Sequence, residues 1–461
     1  MSQKTAYPII IRYHLSMISE DIVSMAMPTA FGVFDLCVWN GDRGRELVAL
    51  STPGLDPSKE VMVRVHSECL TGDLFHSLTC DCGPQKDLAL KKIQEHGNGI
   101  FIYHRQEGRN AGLFKKIQGY NLMQSGMDTH EAYIKLAGHP DPREYSDVLT
   151  ALTAIMGRRK APIRLLTNNP YKALFLERHG YRVVTEPLQA GASVHNASYT
   201  QSKTDKFLHN SIGYAPYASV TLSLSDIRDH RKEIGYAIQD IGVSVEGRKL
   251  FLGVDLSESV DLKSAEIVED LKIFHTSAIS RSDGVNLVLH MYYPESRSVQ
   301  RDLKRFLHQL SFPYSIQFRL PLDVSIGFRV DVDLLDSFHA EHMIFQLKES
   351  HSYLLEQKGF AEYFSSPNKF LLLEDSWGSG QVADPDVTRQ HVLRAVSRGL
   401  SRVAVAGGYS GENASRVHDL EDYFKLPISV DAESRLRTDG KLDIAKMKRY
   451  LAFFFPARVN I

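Results

Sequence analysis

The sequence predicts two domains of mixed α/β and α+β class, the second built like a (β/α)8 barrel. Three observations carry that expectation. A chain of 461 residues with 43% hydrophobic residues exceeds what one core usually serves. Strand-like and helix-like patterns alternate from about residue 8 to 185, and the pattern breaks over 189–215. Beyond that break, β-loop-α units recur towards the C-terminus, as parallel sheets with right-handed crossovers require. The expected domains are therefore 1–213 and 214–461.

In the first half, Val61 to Val65 reads as a strand leading into a cysteine ribbon. Asp87 to His96 reads as a helix, with Leu88, Leu90 and Ile93 apolar and Gly97 as its stop. Gly99 to His104 is a short apolar strand, and Phe34 to Trp39 another, carrying Cys37. Leu113 to Gln124 reads as a helix. Tyr145 to Met156 has Val148, Leu149, Leu152, Ile155 and Met156 at helical spacing. Ile163 to Thr167 is a strand, and Asn168-Asn-Pro170 starts a helix with proline near its first position. Residues 189–215 are small and polar with little periodicity, and read as a loop leading to the boundary at 213.

The ribbon is the most specific signal. Cys69, ten residues, Cys80, one residue, Cys82 supplies three thiolates, the number of protein ligands a catalytic zinc usually keeps. The competing reading is unrelated buried thiols or a disulfide, which four cysteines in an intracellular chain make the weaker choice. His76, inside the ribbon, is either a fourth ligand or a structural histidine, the latter favoured. Three polar strand ends surround the ribbon: Arg64-Val-His-Ser-Glu68, His104-Arg-Gln-Glu-Gly-Arg-Asn-Ala-Gly112 and Thr167-Asn-Asn-Pro-Tyr-Lys172. Arginine forks and helix starts in such places hold phosphate oxygens, with Lys115 and Lys116 adding charge. Together they suggest one pocket. Asp141-Pro-Arg143 precedes the helix at Tyr145 and, taken alone, reads equally well as a cap with a surface ion pair.

Those segments, with Cys80-Asp-Cys-Gly and Asp128-Thr129, resemble GTP cyclohydrolase II, from about Met27 to Lys206. The resemblance implies a mixed sheet with helices and a zinc held by Cys69, Cys80 and Cys82. It implies hydrolytic opening of the GTP imidazole ring with loss of formate and pyrophosphate. The product would be a 2,5-diaminopyrimidinone bearing a phosphoribosylamino group, an entry to riboflavin. GTP would be contacted by Arg64, Val65, His66, Ser67, Glu68, Gln85, Glu107, Gly108, Arg109, Thr129, Thr167 and Lys172. Tyr120 matches a tyrosine near the guanine, Asp141 the proton acceptor, and Arg143 the family's proposed nucleophile. A guanidinium is a poor nucleophile, so Arg143 is better read as stabilising the departing pyrophosphate together with magnesium. A homodimer is implied too. Pro142, Tyr133 and Lys115 depart from the family pattern and bear on rate and product. The alternatives are a GTP-binding regulator and a homologue that performs only part of the reaction.

In the second half the expected strands are Leu250 to Val254, Val285 to His290, Ser315 to Arg319, His342 to Gln346, Lys369 to Glu374, Arg402 to Ala406 and Ile428 to Asp431. Thr388 to Gly399, Asn413 to Phe424 and Ile444 to Phe455 read as helices, and Asp375 to Gly380 as a Gly-rich loop. The stretch 214–461 is long enough for a barrel of about 250 residues. Ala406-Gly-Gly-Tyr-Ser-Gly-Glu-Asn413 and Ser429 to Ser434 are similar to late strands of phosphoribosylanthranilate isomerase. That similarity implies phosphate binding by Gly407, Gly408 and Ser434. Arg435 stands where that family has glycine, and no cysteine lies beyond Cys82 to match its catalytic one. A second step on the first domain's product is the expectation it raises.

Charge excludes some partners. Lys plus Arg is 54 and Asp plus Glu 55, a net charge of −1, so no broad basic field exists for nucleic acid or membrane. The N-terminus lacks a secretory pattern, and no long apolar run spans a membrane. A cytoplasmic protein is expected.

Overall fold

The structure is a computed structural model. It describes residues 22–40, 45–157, 160–191, 193–209, 211, 214–241, 243, 247–257, 261–280, 282–320, 328–374 and 381–455. The chain divides into two compact units, Met1–Thr204 and Asp205–Ile461. The expected boundary at 213 and the Gly-rich loop 375–380 lie outside the described residues. Among the described residues, no helix is long and apolar enough to cross a membrane.

Among the described residues of the first unit, strands β1 (Ile22–Thr29), β2 (Gly32–Asn40), β3 (Glu46–Ser51) and β4 (Val61–Ser67) come first. Helices α1 (Leu70–Asp73) and α2 (Cys82–His96) follow, then β5 (Gly99–His104), α3 (Gly112–Gln124), α4 (Thr129–Ala137) and α5 (Ser146–Met156). The unit closes with β6 (Ile163–Leu166), α6 (Pro170–Arg178), β7 (Val183–Glu186) and α7 (Ala197–Phe207), which runs across the point of division. The sheet order is β1-β2-β3-β5-β4-β6-β7. Strands β1 to β3 are antiparallel and β3 meets β5 antiparallel, whereas β5, β4, β6 and β7 run parallel. The parallel strands point their C-terminal ends at one edge, where such sheets hold ligands.

Strand β4 is buried on both faces, as a central parallel strand must be. Val61, Val63 and Val65 join Leu152 and Leu176 in one core. Met62 joins Leu90 and Ile93 of α2 in the other. By strict alternation, Arg64 and His66 share the α2 face. Helix α2 begins earlier than the periodicity predicts, because Pro84 is tolerated in a first turn that lacks internal N–H partners. It ends at Gly97 in a left-handed conformation, as expected. Asn169 caps α6 with Pro170 in its first turn. Helix α7 corrects the reading of 189–215 as a loop. Its composition hides it, but Asn196 holds Gly191 O and Ser193 N–H just before it starts.

The second unit is a closed barrel of eight parallel strands: β8 (Tyr217–Leu222), β9 (Lys249–Asp255), β10 (Val285–Tyr292), β11 (Ser315–Arg319), β12 (Met343–Lys348), β13 (Lys369–Glu374), β14 (Val403–Ala406) and β15 (Ser429–Ala432). Seven of them are legible as apolar runs. The eighth, β8, is not, because Ser219 and Thr221 interrupt it with polar side chains. Parallel pairing of Val430 with Ala218 and of Asp431 with Ser219 closes the ring. Helices α8 (Leu224–Asp229) and α9 (Arg231–Gln239) follow β8, α10 (Ala265–Phe274) follows β9, and α11 (Arg297–His308) follows β10. Then come α12 (Val332–Asp336), α13 (Phe360–Phe364), α14 (Pro385–Ser397), α15 (Ser415–Phe424) and α16 (Ile444–Phe454).

Aromatic rings fill the N-terminal half of the barrel. Tyr217 stacks on Phe251 at 4.4 Å and meets Phe370 edge-on at 5.1 Å. His342 lies 5.1 Å from Phe251, and burial holds its imidazole down to about 4. A buried ion pair sits beside the seam. Arg248 donates to Glu421 at 2.5 Å, to Tyr217 O at 3.1 Å and to Ile428 O at 2.7 Å, while Glu421 accepts Ile428 N–H. Glu421→Ala strands that guanidinium and is expected to cost about 3–5 kcal/mol, read as a lower urea midpoint for the barrel's unfolding transition.

Candidate active site

Three sulfur atoms converge at the C-terminal edge of the parallel strands. Cys69 stands immediately before α1, Cys80 lies two residues before α2, and Cys82 opens α2. All are free thiols, and their Sγ atoms lie within 4.8 Å of one another. Glycines make room for this. A Cβ on Gly72 would sit 2.8 Å from Cys80 Sγ and 3.1 Å from Cys69 Sγ, and one on Gly83 would sit 2.3 Å from Gly72 O. Asp73 fixes the ribbon by accepting Cys69 N–H at 3.0 Å, Tyr103 Oη at 3.0 Å and His66 Nε2 at 2.9 Å.

The trio suits a thiophilic cation. Hydrogen bonds from Cys80 and Cys82, and then Lys116, hold the Cys69 thiol far down. The same sulfur contacts push Cys80 and Cys82 up, so the three cannot ionise together unaided. A metal ion among them removes that conflict, and three sulfurs are a donor set that leaves a zinc position open. His76 is exposed with φ 51° and lies outside this group, the one such cluster among the described residues.

Cations gather beside the sulfurs. Arg64 is buried, donates to Leu166 O at 2.9 Å and Gln85 Oε1 at 2.9 Å, and burial pulls it down to about 10. Lys172 donates to Val65 O at 2.9 Å; burial, then Arg64 and Arg143, depress its ammonium strongly. Arg143 grips Asp141 through Nε at 2.8 Å and through Nη2, and reaches Ser67 Oγ at 3.1 Å. Burial opposes its charge, yet Asp141 raises its pKa. Asp141 and Arg143 are thus each other's partners rather than a cap with a surface pair. Arg64 Nε, His66 Nδ1, Tyr145 Oη and Asn169 Nδ2 are buried without hydrogen-bond partners, which a polar ligand would satisfy.

The remaining predicted residues frame the same edge. Glu107 accepts Leu70 N–H at 2.6 Å and Lys116 Nζ at 2.7 Å, and Lys116 also lies 3.2 Å from Cys69 Sγ. Gly108 takes φ 57°, and a Cβ there would meet Gly112 O at 2.5 Å. Arg109 donates to Pro140 O and stacks on Tyr133 at 4.7 Å. Burial pushes Tyr120, which faces Lys116, Cys80 and Cys69, up to about 12. Glu68 is half-buried, which raises its carboxyl. Thr129 is buried at the start of α4, behind an Asp128 capping box, and Thr167 is buried after β6. In the other unit, Gly407 and Gly408 follow β14 with φ 141° and 66°, and Ser434 is exposed after β15.

Asp73, Asp81 and Lys203 are residues that motif reading passed over. Asp81 accepts Gln85 Nε2 at 2.7 Å and Lys203 Nζ at 2.8 Å, extending the chain from Arg64. Its place between Cys80 and Cys82 was the available signal. Lys203 lies at the close of the family resemblance, but without α7 that gave it no role.

A family model described as GTP cyclohydrolase II matches residues 20–187. GTP cyclohydrolase-2 of Neisseria gonorrhoeae is 40% identical over 196 residues, which cover 42% of this chain and 98% of that protein. The chain belongs to the GTP cyclohydrolase II family. GTP cyclohydrolase-2 of Histophilus somni is 41% identical over 41% of this chain and 87% of its own length. The chain is an enzyme of that family's type. Phosphoribosylanthranilate isomerase of Thermotoga maritima aligns in structure with a TM-score of 0.34 and 13% identity, covering 51% of this chain and 98% of that one. That likeness carries no argument, and the barrel stands on its own strand pairing.

The family departures are accommodated locally. Tyr133 receives Arg109, and Pro142 O accepts Asn110 Nδ2 at 3.2 Å. Behind them, His104 stacks on Tyr145 at 5.3 Å, and burial with Lys172 and Arg143 holds it down to about 3. The unfolded imidazole titrates near 6.5, so below that pH the unfolded chain gains a proton the folded one refuses. Stability should fall as pH drops from about 6.5, by up to roughly 1.4 kcal/mol per unit. His104→Phe should flatten that slope in urea unfolding between pH 7 and 5.

Proposed function

We propose that the first unit opens the imidazole ring of GTP with release of formate and pyrophosphate, leaving a 2,5-diaminopyrimidinone with a phosphoribosylamino group. The observation that carries this reading is the meeting of three sulfurs with the buried cations Arg64, Lys172 and Arg143 at one sheet edge. Cys69, Cys80 and Cys82 would hold zinc, and bound zinc supplies a water acidified towards neutrality. The triphosphate is met by Arg64, Lys172, Arg109 and the turn at Glu107-Gly108. Buried like charges that repel one another in the free protein gain from an anion between them. Val65 to Glu68, Gln85, Thr129 and Thr167 line the base and sugar side, with Tyr120 against the guanine. Asp141 accepts a proton at its carboxylate.

Arg143 stays a cation, because Asp141 stabilises its charge. It therefore acts on the departing pyrophosphate through charge, and magnesium arrives with the triphosphate, with no residue assigned to it. A pathway to riboflavin, a cytoplasmic setting and a phosphate seat at Gly407, Gly408 and Ser434 belong to the same proposal.

The enzyme is proposed to act as a homodimer. Leu74, Phe75 and Leu78 of the ribbon and Phe114 and Ile117 of α3 are exposed, Phe114 at 77%. Large exposed side chains of this kind mark an interaction surface, and a second copy is the assigned occupant. Phe114→Glu should shift sedimentation towards a monomer; an unchanged dimer would sink the assignment.

Formate release from GTP tests the main reading. The wild type should release formate, and Cys80→Ser should lose both bound zinc and formate. Arg143→Gln should slow pyrophosphate release by about 10²–10³-fold. Tight GTP binding with no formate from the wild type would instead identify a GTP-binding regulator.

A further inference from the structure

The two halves of the barrel interior differ in kind. Strand pairing sets Thr221, Asp255, His290, Gln317, Gln346, Glu374 and Asp431 on the inward face towards the C-terminal ends. The aromatic stack below already fills the core, so stability does not call for polar groups above it.

Those groups are costly. Asp431 and Glu374 are 7% and 8% exposed. Asp431 accepts Thr221 Oγ1 at 3.0 Å, and Glu374 accepts Gln346 Nε2 at 2.6 Å. Neither carboxylate has an ion pair with a described cation, so each exchanges its hydration for neutral hydrogen-bond donors. Arg319 is committed to Asp255 at 3.3 Å and to Ser257. His290 is 5% exposed, and its Nε2 has no hydrogen-bond partner. Its ring occupies the space a side chain on Gly253 would need, 2.3 Å from the position of that Cβ. Glu433 is exposed just past β15, two residues beyond Asp431, so strand alternation carries it towards the same mouth. Partial desolvation, then Asp431 and Asp255, pushes its carboxyl up.

We propose that this mouth is a second catalytic site, in which Asp431 and Glu433 move protons on a hydroxyl- or amine-rich sugar moiety held by His290, Gln317, Gln346 and Glu374. Acceptors outnumber cations there, so the entering group must be rich in N–H and O–H. Asp431 removes a proton from a carbon beside a carbonyl or imine. The C–H electron pair becomes the new C=C bond, and the former π pair takes a proton from Glu433. Reversal returns solvent hydrogen to carbon, so atoms and electrons balance without a co-reactant. The ribosylamino product of the first unit reaches this chemistry once its furanose opens: the ring C–O bond breaks, that oxygen takes a proton, and the glycosyl nitrogen gives up its own proton to form the C=N bond. Choosing it as ligand rests on the function proposed above.

The test supplies that diaminopyrimidine phosphate ready-made, by an independent GTP cyclohydrolase II, to the full chain in D₂O. The wild type should place deuterium on ribose carbons, read by NMR, above a protein-free control. Asp431→Asn and Glu433→Gln should lower the rate by about 10²–10⁴-fold, with His290→Gln weakening binding. Thermal melts check folding, and Glu433 on the open rim guards against a misfolded core variant. Protium retained by the wild type, or exchange that persists in both carboxylate variants, overturns the proposal. A lack of formate from GTP would sink the first reading alone, since this assay does not depend on it.

Discussion

Two turns of backbone approach so closely around the thiol ribbon that only glycine fits at Gly72 and Gly83. That constraint turns three cysteines into a site. It brings the start of α2 against α1, so sulfurs from three chain positions face one point. Asp73 then locks the ribbon to β4 and β5 through His66 and Tyr103. The parallel strands deliver their ends to the same edge, where the cations of β4, α6 and the 139–144 loop collect. The charges there do not cancel. Arg64 and Arg143 oppose the Lys172 ammonium, and Asp141 offsets that only in part while it holds Arg143 charged. Such a frustrated cluster trades stability for an anion site, the arrangement expected where function rather than packing sets residue choice.

The barrel repeats that division of labour within one closed sheet. Its seam is secured by a buried pair, Arg248 and Glu421, whose remaining hydrogen bonds go to backbone carbonyls and an N–H. Its lower interior is aromatic and closed. Its upper interior holds carboxylates, amides and a histidine that packing alone would never select, since each loses hydration there and His290 Nε2 finds no hydrogen-bond partner. The polarity change occurs along single strands: β9 passes from Phe251 through Gly253 to Asp255, and β13 from Phe370 to Glu374.

Much of this was legible because it is local. The Cys69–Cys80–Cys82 spacing, the stop at Gly97, the Asn169–Pro170 helix start and seven apolar barrel strands rest on chemistry within a few residues. Strand β8 was not, because its inward Ser219 and Thr221 serve the barrel's polar interior and break the apolar run. Helix α7 was not, because it owes its place to docking, including Lys203 on Asp81. Asp141 and Arg143 were visible as candidates through the family motif, but a cap with a surface ion pair read equally well, and their buried mutual grip was not legible.

By itself the sequence determined the ligand types, the family motifs and the order of strands and helices, since spacing and periodicity are properties of the chain. Only the tertiary structure decided which charges share a pocket and which polar residues point into the barrel. Those depend on register and closure, through which residues far apart in the chain become neighbours in a medium where charge is expensive to bury.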